Sequence, residues 1–317
     1  MKSIKTVLAT GLLLLSSAAA AMSLQPQKVA DGVYALIGPM TGRTPENLAL
    51  NANFGFIVTD KGVILIDSGA STLGAKVIDE AIQTVTQQPV RWVINTGSQD
   101  HRWMGNRYFA QQGAEIIALQ RTVETQHSVV SQHQASLKRS INATPAETRP
   151  QYATRSMPGN RAALTPGGMP VELHWFGDAH FPGDAMVWLP QQQILFSGDL
   201  IYVDRMLSLR PESYVASWSP AVNQAMDYFD PLAIVPGHGQ VCDEDKARRD
   251  TGDYLGWLVD KVGPMAENWE GLEAALAKYG DAAQWQYLKN YEFLHRGNIH
   301  RTYVQFENNQ SGELPSP

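Results

Sequence analysis

Three short stretches of this chain share one pattern, and that pattern limits the fold more than any other feature. In each stretch an apolar run typical of a β-strand ends in a glycine-containing turn that holds one side chain able to bind a metal. The turns are residues 177–180, 197–199 and 236–239, and their ligand-type residues are His180, Asp199 and His238. Histidine and aspartate are ligands that zinc and iron accept in proteins. The pattern therefore predicts a metal site at the ends of several strands.

The remaining sequence alternates between strand-like and helix-like patterns. Residues 53–59 and 62–67 predict two strands joined by a tight turn, and residues 71–86 predict an amphipathic helix capped by Ser71. Residues 122–140 predict a longer polar helix. Mixed strands with helices on both sides predict an α/β fold, an αββα sandwich of two mixed β-sheets flanked by helices.

Other segments give weaker patterns. Residues 141–170 have no clear periodicity and predict a surface excursion, whereas Ser219-Pro220 predicts the start of a helix that ends at Phe229. Residues 244–294 predict helices, and residues 303–306 predict a short strand. Within the helical part we expect three tryptophans to form a core, namely Trp257, Trp269 and Trp285.

The amino terminus has the features of a secretion signal. Lys2 and Lys5 precede an apolar run over residues 6–15 and small residues over 16–21, which predicts cleavage after Ala20 or Ala21 and a periplasmic protein. The apolar run is too short to span a bilayer, so we expect no membrane span in the mature protein. The predicted organisation is a signal peptide over 1–21, one domain with a helical carboxyl-terminal part over 22–310, and a tail over 311–317.

Composition excludes some classes of partner. The formal net charge is −6, which argues against a nucleic-acid partner because phosphate binding needs a basic face. The single cysteine, Cys242, excludes an internal disulfide. We expect a small-molecule substrate, and the sequence leaves the oligomeric state open.

Five motifs in order resemble those of the metallo-β-lactamase-fold hydrolases. The motifs are Asp67-Ser68-Gly69, Asn95-Thr96 with Gly105-Asn106, and residues 179–184, 197–199 and 236–239. The resemblance runs from about Val33 to His238, and residues 298–307 resemble the closing strand of some members. It implies the αββα sandwich, a metal cofactor and a hydrolytic reaction.

One motif of the family is altered here. The family carries His-x-His-x-Asp-His in the loop after the strand, and this chain has Gly-Ser-Gln-Asp-His-Arg at residues 97–102. A gapless register puts Gly97 and Gln99 at the leading histidines, His101 at the aspartate and Arg102 at the last histidine. A second register keeps Asp100-His101 as Asp-His and puts Thr96 and Ser98 at the leading histidines. Both registers stay open, and both lack the leading His-x-His.

The resemblance implies which ligands remain. The first metal of a family site would keep only His180, whereas the second would draw on Asp100 or His101 together with Asp199 and His238. We therefore predict one zinc or iron ion per chain at the second site, or no ion at all.

The resemblance also suggests roles for the neighbouring side chains. Asp100 would act as the general base when His101 is a ligand, and His180 would contact substrate or stabilise developing negative charge. Asp67, Gln99 and Arg102 would support the ligands or contact substrate.

Three functions remain open from the sequence. The first is a periplasmic metal-dependent hydrolase of ester, thioester, lactone or amide bonds with a mononuclear site. The second is a non-catalytic binding protein on the same fold, because the leading histidines are missing. The third is a mononuclear iron dioxygenase acting on sulfur compounds, for which His101, Asp199 and His238 would supply two histidines and one carboxylate.

Overall fold

Two β-sheets lie face to face in the computed structural model, which describes residues 22–315. The predicted signal peptide therefore lies outside the described residues. The first sheet contains, in spatial order, β1 Pro26–Ala30, β2 Val33–Leu36, β3 Phe54–Thr59, β4 Gly62–Ile66, β5 Val90–Ile94, β6 Glu115–Leu119 and β7 Arg155–Met157. The second sheet has the order β12-β11-β10-β9-β8, with β8 Arg161–Leu164, β9 Val171–His174, β10 Met186–Leu189, β11 Ile194–Tyr202 and β12 Ala233–His238.

Helices cover the outer faces of both sheets. They are α1 Thr72–Gln83, α2 Asp100–Trp103, α3 Asn106–Ala110, α4 Gln120–Ile141, α5 Val215–Tyr228, α6 Glu244–Ala247, α7 Asp253–Glu267, α8 Leu272–Tyr279 and α9 Tyr291–Glu307. The side chain of Ser71 caps α1 by accepting a hydrogen bond from the Gly74 N–H, as its position predicts. The predicted αββα sandwich is confirmed. Among the described residues, no helix has the length and apolar character needed to cross a membrane.

Strand direction brings the site residues to one edge of the sandwich. β4, β5 and β6 run parallel in the first sheet, and β11 and β12 run parallel in the second. Because parallel strands end at the same edge, Asp67 after β4 lies near the segment that follows β5. In the second sheet Asp199 lies within β11 and His238 ends the neighbouring parallel strand β12, and their side chains meet at 3.3 Å.

The space between the sheets is filled by aliphatic and aromatic side chains. Ile64 and Ile94 of the first sheet and Val187 and Phe196 of the second are almost fully buried in one cluster. Burial of one such side chain contributes about 1.5–3 kcal/mol. At Gly55 a Cβ atom would lie 2.0 Å from the Phe196 ring, so glycine there lets the two sheets approach.

The start of α5 differs from the prediction. The helix begins at Val215, so Pro220 lies inside it and not in its first turn. Pro220 has no N–H and removes one helical hydrogen bond. Packing outweighs that loss, because Trp218 is fully buried and its Nε1–H donates to the Leu200 carbonyl at 3.0 Å.

The predicted strand over residues 303–306, and the resemblance of residues 298–307 to a closing strand, are wrong. Those residues form the end of α9. The Asn298 side chain accepts from the Leu209 N–H and donates to the Leu207 carbonyl, and Gln305 bonds the backbone of Ser213 and Val215. These contacts override the β-propensity of the local sequence.

Two smaller expectations also fail. The segment over residues 141–170 contains β7 and β8, so it extends both sheets and is not only a surface excursion. Trp269 is 74% exposed and lies outside the core. Trp285 is buried in the core, and Trp257 is partly buried and packs against the same core cluster.

Candidate metal centre

Three buried side chains of the predicted type converge at the shared strand edge. His101, Asp199 and His238 each offer one ligand atom, and these atoms all lie within 4.8 Å of one another. Nε2 of His101 is 3.1 Å from Oδ2 of Asp199, and Nε2 of His238 is 3.3 Å from Oδ1. In a tetrahedral zinc site with ligands at about 2.1 Å, ligand atoms are separated by about 3.4 Å. The spacing therefore suits one ion.

Local backbone geometry explains how these side chains meet. His101 is the second residue of α2, which follows β5 after a short turn. Asp199 follows Gly198, whose φ of 52° and close approach to the Thr96 hydroxyl both favour glycine. His238 ends β12, and its Nδ1–H donates to the Asn51 carbonyl at 2.9 Å. That bond leaves Nε2 of His238 free to bind a metal.

The structure does not bring Asp100 into this group. Both of its carboxylate oxygens bind Arg43, with Nη1 of Arg43 2.6 Å from Oδ2. Burial alone would raise the pKa of Asp100, but the charge of Arg43 and a hydrogen bond from His101 hold it well below its usual range. Asp100 is thus a weak proton acceptor, which disfavours the predicted general base. The gapless register matches this geometry because His101 occupies the ligand position.

Arg102 forms the floor of the site and uses all five of its N–H donors. Nε and Nη2 bind the two oxygens of Asp199, and Nη1 binds Oδ2 of Asp67 at 3.0 Å. The remaining donors reach the carbonyls of Asn53 and Gly237 at 2.8 and 3.1 Å. Arg102 therefore pairs with carboxylates, as one prediction has it, and no donor is left for a substrate.

Asp67 supports this floor from the first sheet. Its carboxylate accepts hydrogen bonds from the backbone N–H and the hydroxyl of Thr96, each at 2.7 Å. Asp67 lies in the left-handed region, with φ of 63°, where the surrounding bonds hold it. Asp67 thus binds Arg102, which in turn binds Asp199.

The ion pairs beneath the three ligands bear on whether a cation fits. Burial would raise the pKa of Asp199, but the charges of Arg102 and His101, with hydrogen bonds from His101 and His238, hold it well below its usual range, so Asp199 is ionised. Burial raises the pKa of Asp67 in spite of the neighbouring Arg102 charge. Arg102 weakens Asp199 as a ligand because it binds both oxygens of that carboxylate. Nη2 of Arg43 lies 3.0 Å from Nδ1 of His101 and can only donate, so Nε2 of His101 carries the imidazole proton here and must release it to bind a metal. Two imidazoles and one carboxylate are donor types that zinc and iron accept.

On the side of Asp199 near His180, the packing and the hydrogen bonding differ from those around His101 and His238. A Cβ atom on Gly97 would lie 2.6 Å from Oδ1 of the buried Asp184, so no side chain can project from Gly97 without a shift. Nδ1 of His180 lies 3.9 Å from Oδ2 of Asp199, and within residues 22–315 it has no hydrogen-bond partner. Oε1 of Gln99 is likewise buried without a partner in that range. Burial, with the charge of Arg210, lowers the pKa of His180 to about 3, so its imidazole is neutral.

A cavity of about 250 Å³ opens above these groups. Its lining includes the three site histidines and three arginines, namely His101, His180, His238, Arg43, Arg205 and Arg210. The arginines do not appear among the predicted site residues. Their local sequence contains no ligand-type motif, and only the fold brings them to the cavity. Tyr202 also lines it and stacks on His238, with ring centroids 4.5 Å apart.

Comparisons with known proteins agree with this geometry. No protein-family model matches the chain. The chain is 25% identical over 214 residues to the metallo-beta-lactamase type 2 of Bacillus cereus, an alignment that covers 67% of this chain and 74% of that protein.

Solved structures share the fold. A metallo-beta-lactamase from Pontibacter korlensis superposes with a TM-score of 0.59 at 20% identity, covering 74% of this chain and 99% of that one. The stereoselective inverting sec-alkylsulfatase Pisa1 from Pseudomonas sp. gives a TM-score of 0.72 at 17% identity, covering 93% of this chain and 52% of that one. The chain belongs to the metallo-β-lactamase-fold superfamily of metal-dependent hydrolases.

Proposed function

We propose that this protein hydrolyses ester, thioester, lactone or amide bonds with one zinc or iron ion held by His101, Asp199 and His238. The observation that carries the proposal is the convergence of these three buried donors at ligand spacing. Zinc hydrolases commonly use three protein ligands and keep a fourth position for water or substrate. We also propose that the mature protein works in the periplasm, as the sequence at residues 1–21 predicts.

A single ion agrees with the packing next to Asp199. A first-site ion would need donors near His180, and Asp184 occupies the space that a side chain on Gly97 would require. One histidine does not hold zinc without further ligands. The proposal is therefore a mononuclear centre.

The ion and the chain would divide the chemistry. A bound divalent cation supplies Lewis acidity, which polarises a carbonyl and lowers the pKa of water. His180 is too weak a base at pKa about 3 to accept the proton, but a neutral imidazole can hydrogen-bond an oxygen that gains negative charge. Gln99 offers its free Oε1 to a water or a substrate donor.

The experiment is metal analysis of the purified mature protein, followed by assays with ester, thioester, lactone, amide and β-lactam substrates. We expect one zinc or iron ion per chain and turnover of at least one substrate class. The variant His238→Gln should lose both, whereas His174→Gln should keep both because His174 pairs with Glu172 outside the site. Absence of bound metal, with no turnover after zinc, iron or manganese is added, would overturn the proposal.

A non-catalytic binding protein is the second candidate, and one observation favours it. Asp100 is already paired with Arg43, and Asp199 with Arg102, through ion pairs of buried carboxylates. In that case ligand binding should survive Asp199→Ala and His238→Ala. Joint loss of metal and ligand binding in these variants would exclude it.

A further inference from the structure

Within residues 22–315, the cavity above the three ligands is lined by positively charged side chains without matching negative ones. Among the described residues no aspartate or glutamate lines it, although the whole chain carries a net charge of −6. Of its three arginines, Arg43 is neutralised by Asp100. Arg205 and Arg210 form no ion pair within residues 22–315.

Arg205 holds donors that the described protein does not use. Its Nε is buried and has no hydrogen-bond partner in residues 22–315. Its Nη1 lies 3.3 Å from Nδ1 of His238, but that nitrogen needs its proton for the Asn51 carbonyl and cannot also accept one. Burial lowers the pKa of Arg205 in spite of the nearby Tyr202 and Asp199. A buried N–H donor such as Nε of Arg205 is unfavourable unless an acceptor reaches it.

Arg210 lies on the rim of the same cavity. It is exposed, and its positive charge is among the causes that lower the pKa of His180. Arg210 and His180, the histidine that faces Asp199, line the same cavity. Both unpaired arginines come from the segment between β11 and α5, so one stretch of chain presents them together.

We propose that Arg205 and Arg210 bind an anionic oxygen group of the substrate, a carboxylate, sulfate or phosphate, and hold the bond to be hydrolysed beside His180 and the three ligands. Arginine suits this task because its planar fork matches two oxygens at once. The cavity volume of about 250 Å³ is below the range of about 300–1,000 Å³ typical of drug-sized ligands. The substrate is therefore a small anion and not a neutral ester. This inference rests on the proposed function for the reaction, but the anion site itself does not depend on turnover.

The first test measures binding without catalysis. Isothermal titration with acetate, sulfate or phosphate is run on the full mature protein, as purified and after chelation. For the anion that binds best, Arg205→Met or Arg210→Met should each raise Kd about 10-fold, and Arg205→Lys should recover part of the loss. Arg161→Met is the matched control, because Arg161 lies over the Tyr228 ring at another pocket.

The outcomes distinguish the anion site from the proposed hydrolytic function. Equal Kd in the wild type and in Arg205→Met and Arg210→Met, or no binding of any of the three anions, overturns the anion site. The second test compares phenyl acetate with phenyl hemisuccinate, which differ in one carboxylate. We expect Arg205→Met to raise KM about 10-fold for the hemisuccinate alone, and an equal change for both esters counts against the inference. Anion binding without hydrolysis of any ester would instead refute the proposed function and keep the anion site.

Discussion

The two sides of Asp199 differ in what surrounds the carboxylate. On one side His101 and His238 point their Nε2 atoms at its oxygens. On the other side His180 stands with a free Nδ1, and Asp184 fills the space beside Gly97. The difference teaches that packing, and not only the lack of ligand side chains, separates the two sides of Asp199, and we expect it to limit this edge to one ion.

The two sides also differ in whether the hydrogen-bond donors of their arginines have acceptors. Beneath Asp199 every donor of Arg102 is used, whereas above it Nε of Arg205 is buried without an acceptor in the described residues. Saturated groups hold the architecture, and unsaturated groups face the cavity where a ligand can enter. The following predictions test this division.

The largest effect is expected from Asp199→Asn. The change removes a ligand and leaves Arg102 with one carboxylate, so we expect metal affinity to fall at least about 100-fold. Breaking this buried pair should lower the free energy of unfolding by about 3–5 kcal/mol. Metal analysis and urea denaturation measure the two effects. The control is Asp227→Asn, which changes an exposed ion pair with Arg248. An Asp199→Asn protein that keeps its ion and its stability would contradict the division between structural groups beneath Asp199 and ligand-binding groups above it.

Replacement of the two histidines should separate metal binding from turnover. We expect His180→Gln to keep the ion and lose about 100-fold in kcat, because His180 acts on the substrate. His238→Gln should lose the ion itself. Metal content and steady-state kinetics are measured on both variants. Loss of the ion in His180→Gln would show that His180 also binds the metal, so that the two sides of Asp199 do not have distinct roles.

Restoring the missing histidines tests the packing argument. The double variant Gly97→His/Gln99→His should still bind one ion per chain, because Asp184 blocks the new side chain at position 97. Crowding should cost about 1–3 kcal/mol in unfolding free energy. Gln99→His alone is the control for stability, since Gln99 already carries a side chain on the cavity. Two ions per chain would refute the packing limit.

The smallest effect is a pH dependence of stability in the chelated protein. The folded-state pKa of His180 is about 3, below the value of about 6.5 for an unfolded histidine. Between these values only the unfolded state binds the proton, so stability falls as pH drops. From pH 6.5 to 5 the wild type should lose about 2 kcal/mol more than His180→Gln. Parallel curves from urea denaturation would contradict the lowered pKa.

Some of the site could be predicted from sequence because local motifs mark it. Asp199 and His238 follow apolar runs and lie beside glycines. His238 does end its strand, but the turn predicted at residues 197–199 is wrong, because β11 continues to Tyr202. The fold followed from the same alternation of strands and helices. The two-sheet sandwich therefore needed no knowledge of distant contacts.

The choice between Asp100 and His101 could not be made from sequence. The two residues are adjacent, and the partner that decides between them is Arg43, which is 57 positions away in a loop without a regular pattern. Arg205 and Arg210 were missed for a similar reason, because an arginine in a connecting segment has no local signal for its charge environment. Likewise, residues 303–306 have strand propensity, and only their contacts with the segment before α5 make them helical.

The bonds of Arg102 join the two sheets, because they reach Asp67 and Asn53 on one sheet and Asp199 and Gly237 on the other. The scaffold beneath the ligands is thus complete on its own. In small zinc domains the binding free energy of the metal drives folding, but here the architecture would already exist before loading. The ion becomes an exchangeable part, so different metals could be inserted into the same framework and compared directly.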